Sequence, residues 1–291
     1  MDFVRRFDEL VARKTSDAAT ADLMPFETET DTAGDRFTAI GNAWSRRMFD
    51  GPFYVSPAPP SGVPSASLVF VRSRDGNTVV KNPSALGGGE ADKHVIYEGL
   101  SRLTADAVLS GASTIRGGDL VLSTWRPELV GLRAALGLPR HPIQIVATLH
   151  GLSLDHGFMF NLPQLRVMLI TVGRGMDVMR TQLAARPWIA PIVMEAANDL
   201  PHAFRRLRQL GVERISCIGG RTIAGQLIDA GLIQDVYLTT GTKSAGEPDT
   251  PFYSKPLKGT AIVRKRGTGA DAGVVFEHLA LTNSKFQIRN S

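Results

Sequence analysis

Short, almost wholly apolar runs alternate along this chain with segments of helical period, and that alternation leaves few folds open. The runs are "SLVFVRS" (67–73), "DAVLSG" (106–111), "PIQIVAT" (142–148), "LRVMLITVG" (165–173), "RISCIGG" (214–220), "DVYLTTG" (235–241) and "GVVFEHLAL" (273–281). Between them, residues 93–105 carry Val95, Ile96, Leu100 and Leu103 on one helical stripe, and 176–186, 199–211 and 222–231 repeat the period. Gly211 and Gly231 close the last two, where a helix C-cap wants glycine. A strand apolar on both faces must be covered on both faces. The expectation is an α/β fold whose mostly parallel central sheet is flanked by helices on both sides. In such sheets ligands bind at the carboxyl ends of strands.

The N-terminal portion breaks the pattern. Residues 3–14 have the spacing of an amphipathic helix, and "ETETDTAGDR" follows, acidic and rich in threonine. Residues 54–67 then hold four prolines with serine and glycine, an extended connector. Residues 1–64 therefore read as an arm with its connector, too short and polar to carry a core alone, and 65–291 as the main domain.

Composition narrows the function classes. One cysteine, Cys217, sits inside an apolar run, which excludes an internal disulfide framework and a cysteine-based zinc site and points to a buried small hydrophobe. No apolar stretch approaches the ~18 residues of a membrane span, and the charged N-terminus lacks the apolar core of a secretory signal. A cytoplasmic protein with no membrane partner is expected. Net charge is +5, yet the basic clusters are short and scattered and aromatics are 7%, so a nucleic-acid surface has little support. A phosphorylated small-molecule substrate suits the excess charge better; no metal site is expected.

Three glycine-containing loops follow strands. In "CIGGRTIAG", Gly219 and Gly220 stand where a strand hands over to a helix. The backbone can there approach a ligand that any Cβ would block, and the helix offers free amides and its positive end to a phosphate. Arg221 and Thr222 add a charge and a hydroxyl. A tight turn without ligand fits the same residues equally well. In "LSGASTIRGGD", Gly111 is followed by Ser113 and Thr114, whose hydroxyls suit either phosphate and ribose oxygens or local capping. "SRDGNTV" is a turn whose Asp75 most simply bonds its own backbone. Arg102, on a helical segment, reads from the residues alone as a solvated surface arginine.

The order and spacing of these pieces over residues 65–282 resemble the C-terminal reductase domain of the bacterial riboflavin-biosynthesis deaminase/reductases, a relative of dihydrofolate reductase. "VFVRSRDG" is similar to that family's strand ending in Ser-x-Asp-Gly. "SRLTADAVLSGASTIRGGDLVLS" and "CIGGRTIAGQLIDAGLIQDVYLTTG" are similar to its two glycine loops. The resemblance implies a dihydrofolate-reductase-like fold, NADPH as cofactor, and hydride transfer to a 5-amino-6-(5-phosphoribosylamino)uracil-like substrate. It implies cofactor contacts at Val71, Thr114 and Gly219 to Ile223, substrate contacts at Arg102 and Leu122, and a homodimer. Asp119 keeps one acid of the family's acidic pair, and Arg126 stands beside the position, here Trp125, where the family has an arginine. Ile218 replaces the glutamate that usually precedes Gly-Gly. The family's zinc deaminase half, which needs several cysteines and histidines, is absent from this sequence. Asp75 is the nominated proton donor. Two alternatives stay open: a reductase of another small heterocycle (pterin- or folate-like) or carbonyl, and a non-catalytic nucleotide- or nucleic-acid-binding module.

Overall fold

The computed structural model describes residues 2–57, 62–115 and 118–282. Its twelve strands are β1 (Phe26–Asp31), β2 (Thr38–Ile40), β3 (Phe53–Val55), β4 (Ser65–Arg72), β5 (Ala107–Gly111), β6 (Ile143–Ala147), β7 (Val167–Val172), β8 (Ile189–Met194), β9 (Arg214–Ile218), β10 (Asp235–Thr240), β11 (Gly259–Gly267) and β12 (Val275–Leu281). Ten form one sheet in the order β1-β11-β12-β10-β4-β9-β5-β6-β7-β8, and β2 pairs only with β3. Every neighbouring pair from β10 to β8 is parallel, while β12, β11 and β1 join antiparallel to their neighbours.

The parallel strands are the apolar runs of the sequence, and both their faces are covered. One face carries the 89–103 helix, the N-terminal helix Phe3–Thr20 and the helix Gly173–Ala184, packed on Val69, Val108, Val146, Leu169 and Ile218. The other carries Leu200–Gln209 and Arg221–Asp229 on Leu68, Leu109, Ile145, Ile170 and Cys217. Cys217 is buried as expected, and desolvation pushes its thiol well above the usual range. It is unfit to act as a nucleophile.

The N-terminal segment is woven into this framework. Phe7, Leu10, Phe26, Met48, Phe49 and Phe53 all enter the core of the first face. The acidic, threonine-rich stretch forms edge strand β1, in which only Phe26 is buried. Its backbone pairs with β11, Phe26↔Gly267 through Asp31↔Val263. Lys265 of β11 is buried there. Its ammonium donates to Thr28 Oγ1 at 2.7 Å and the Asp50 carbonyl at 3.0 Å, and lies 4.4 Å from the Phe49 ring centroid.

Beyond the sequence expectation lie β1, β2, β3, β8 and β11. The central stretch of the 89–103 helix, Asp92–Leu100, winds as a π-helix, a form associated with functional sites.

Candidate cofactor cleft and its substrate side

At the C-terminal ends of adjacent strands β9 and β5, two glycine-bearing turns face each other. Gly219 and Gly220 have φ of 62° and 79°, a region that side-chain-bearing residues rarely adopt. A Cβ on Gly219 would lie 3.3 Å from Thr114 Oγ1. One on Gly220 would lie 3.1 Å from Ile223 Cγ2 and 3.9 Å from the Gly111 amide nitrogen. The structure thus gathers Gly111, Thr114, Gly219, Gly220 and Ile223 into one corner, with Ser113 and Thr222 exposed at its rim. The helix Arg221–Asp229 starts at Gly220 without a side-chain cap, so its first amides and positive dipole end face outward. Arg221 braces the corner: its Nε donates to the Pro251 carbonyl at 2.7 Å. The arrangement can hold the phosphates of a dinucleotide.

The corner continues onto β4. Val69 is in register with Ile218, and Val71, two residues on, is half-buried at the strand's end. Val71 is in register with Thr239 of β10 and packs against Gly88, where the 89–103 helix begins. In that helix's first turn stands Asp92, a residue the sequence analysis does not single out. Asp92 is buried. Desolvation pushes its carboxyl up to about 7; the Thr239 hydroxyl opposes the shift and the Asp271 charge adds to it. Asp271 itself caps the helix, accepting the Ala91 amide at 3.2 Å, and its carboxyl fills the space where Gly89 lacks a Cβ.

Asp92 has a measurable consequence for stability. Folding raises its pKa, so its share of stability is complete below about 3.8 and is lost as pH rises through about 7, by ~1.4 kcal/mol per unit. Asp92→Asn should remove that slope. In melting curves from pH 5 to 8 the variant is expected to gain on the wild type up to about pH 7 and to run parallel to it above; parallel curves over the whole range would contradict this.

The residues assigned to the substrate side lie elsewhere and are engaged. Arg102 is a correction: it is no surface arginine but 2% exposed, because Tyr97 stacks on it at 4.2 Å and its Nη1 donates to the Ser123 carbonyl at 2.6 Å. Its Nε and Nη2 are buried without a hydrogen-bond partner among the described residues. It sits at the end of the 89–103 helix that leads into the start of β5, away from the glycine corner. Leu122 is buried, and its amide donates to Gln144 Oε1. Asp119 is ion-paired with Arg6 of the N-terminal helix. Arg126 donates to the Ala18 carbonyl at 2.6 Å, holds Glu128 and lies over the Trp44 ring. Trp125 and Ile218, where the resemblance expects charged groups, are buried in the apolar core. Asp75 is exposed; rather than bonding its own turn, it accepts the Ser244 hydroxyl at 3.1 Å and joins two loops.

Arg126 therefore fastens the N-terminal segment. Arg126→Ala should lower stability by ~1–2 kcal/mol through the lost charge-assisted bond and ring contact. Limited proteolysis should then release residues 1–25 faster than in the wild type; an unchanged cleavage rate would argue against the fastening role.

A mostly parallel sheet with an antiparallel edge, helices on both faces and a Cβ-free corner at the strand ends defines a dihydrofolate-reductase-like reductase fold. The family model for the RibD C-terminal domain matches residues 67–272, and the chain belongs to that family. Reductases of this family transfer hydride using a nicotinamide cofactor. The fold is similar to a pyrimidine reductase-like protein from Corynebacterium diphtheriae, with a TM-score of 0.60, 20% identity, and coverage of 75% of this chain and 92% of that one. It is similar also to RibD of Acinetobacter baumannii, with a TM-score of 0.59 and 17% identity over 76% of this chain, though the match spans only 59% of that one. The riboflavin biosynthesis reductase Rib7 of Saccharomyces is a third, with a TM-score of 0.55, 14% identity, and coverage of 77% of this chain and 93% of that one. No curated protein matches the sequence.

Proposed function

We propose that this protein is an NADPH-dependent reductase of a pyrimidine-type heterocycle. The observation that carries the reading is the apposed glycine turns after β5 and β9 beside an uncapped helix start, a cradle that fits a dinucleotide pyrophosphate. Gly219, Gly220 and the amides of Thr222 and Ile223 would hold phosphate, and Ser113 and Thr114 would bond phosphate or ribose. Val71 would form the apolar wall on which the nicotinamide is oriented. When bound, the cofactor supplies a hydride; the chain supplies position and electrostatics. NADPH is preferred over NADH on the family resemblance and the net positive charge.

For the substrate, the family resemblance supports a phosphoribosylamino-pyrimidine. A second reading has its own support: Asp119 and Arg126 are held by the chain's N-terminal segment, which leaves less polar surface for a phosphoribosyl group and favours a smaller heterocycle. A cytoplasmic homodimer is part of the proposal.

Thermal unfolding with and without cofactor tests the core of it. NADPH at 100 times its dissociation constant stabilises by ~2.7 kcal/mol, which raises the melting temperature by roughly 5–8 °C; NADH should raise it less. No rise with either cofactor would overturn the reductase reading. Turnover of phosphoribosylated against free pyrimidines then separates the two substrate classes.

A further inference from the structure

We propose that Asp92 is the proton donor of this cleft, delivering from its carboxyl the proton that accompanies hydride transfer. The inference rests on the reductase reading above and replaces Asp75 in that role.

Three observations place Asp92 there. Its Oδ2 lies 3.0 Å from the point where Gly88 lacks a Cβ, and Val71 Cγ2 lies 2.9 Å from the same point. The acid and the apolar wall of the proposed nicotinamide site therefore pack side by side against the Gly88 backbone, filling the space a Cβ there would need. Thr239, in register with Val71 on β10, has its buried hydroxyl beside the same carboxyl, where it favours the charged form. The acid is also poised in its protonated form. Asp271 adds its charge from the turn before β12, and two neighbouring carboxyls resist ionising together. Around Asp92 on its own helix, Glu90 is paired with Lys93 and His94, and Tyr97 faces the same charge. The other ionisable groups at these strand ends serve worse as donors. Arg72 is held by Thr240 and Glu277, Lys243 is exposed, and Asp75 is exposed and bonded to Ser244.

The step balances as follows. A hydride from the dihydronicotinamide reaches the electrophilic carbon of a C=N or C=O bond, and its two electrons reduce that bond. The Asp92 O–H bond breaks as an N–H or O–H bond forms on the heteroatom, and the carboxylate regains a proton from solvent. Delivery by a positioned acid is worth ~10²–10⁴-fold, most where the donor's pKa lies near working pH.

Carboxyl carbon NMR tests this without turnover. One resonance, missing from Asp92→Asn, should titrate near neutrality and move when NADPH saturates the protein. If NADPH binds and leaves that resonance unmoved, Asp92 is outside the cleft and the proposal falls. Thr239→Val should shift the same titration upward, because the hydroxyl favours the carboxylate. With the phosphoribosylamino-uracil as substrate, Asp92→Asn should lower kcat at least 100-fold while the Kd for NADPH stays within twofold. An unchanged kcat would overturn the proposal while leaving the reductase reading intact. Failure of the wild type to bind NADPH would overturn that reading instead, and the donor role with it.

Discussion

Replacing Arg133 by leucine is expected to destabilise the protein by ~4 kcal/mol, among the larger effects open to a single substitution. The Arg133 side chain is fully buried. Its Nη1 donates to the carbonyls of Arg102, Leu103 and Ala105, where the 89–103 helix ends, and its Nε and Nη2 donate to the Pro139 carbonyl. Burial lowers the guanidinium to about 10, so it remains cationic at neutral pH and suits the negative end of that helix. Leucine would fill part of the volume and leave these carbonyls without a donor, at ~1–3 kcal/mol for each group that water cannot reach. Lysine should recover only part of the loss, since one ammonium cannot span the two clusters of carbonyls. Urea denaturation measures the effect; a loss below about 1 kcal/mol would mean that water replaces the guanidinium. The same helix carries Asp92 at its other end, so the variant should also weaken the cleft.

The second large effect is at Gly220. Valine there would bring a β-branched side chain to φ 79° and place its Cβ 3.1 Å from Ile223 and against the Gly111 backbone. Strain should cost ~1–3 kcal/mol, and the NADPH-induced rise in melting temperature should vanish, a loss of at least 100-fold in affinity. Because the variant starts less stable, Thr114→Val serves as a control. It leaves the backbone alone and removes a hydroxyl at the same corner, with an expected loss of ~3–10-fold. Full NADPH binding by both variants would remove the glycine corner from the cofactor site.

The parts of this site that could be read from the sequence are those made by local rules. The Gly-Gly handover in "CIGGRTIAG" is local chemistry, since a strand end, two positive-φ residues and a helix start lie within a few positions. Its apposition to "SGAST" followed from parallel-strand logic, because both loops end strands of one sheet. Cys217 was legible as buried from its apolar neighbours alone. Asp92 was not, because its partners Thr239 and Asp271 lie far along the chain and meet it only across the sheet. Arg102 misled for the same reason, as the Tyr97 ring is local but the Ser123 carbonyl is brought by packing. The stretch "ETETDT" carries no alternation because an edge strand with five exposed positions needs none. Its place is set by backbone pairing with β11 and by Lys265 beneath it.

By itself, then, the sequence determined the alternating architecture, the apolar strands and the glycine corner, all consequences of short-range periodicity and backbone freedom. Only the tertiary structure decided which acid is protonated, which arginines are buried, and that the N-terminal segment holds Asp119 and Arg126. Those properties depend on desolvation and on charges brought together from distant positions. Neither is present until the chain has folded.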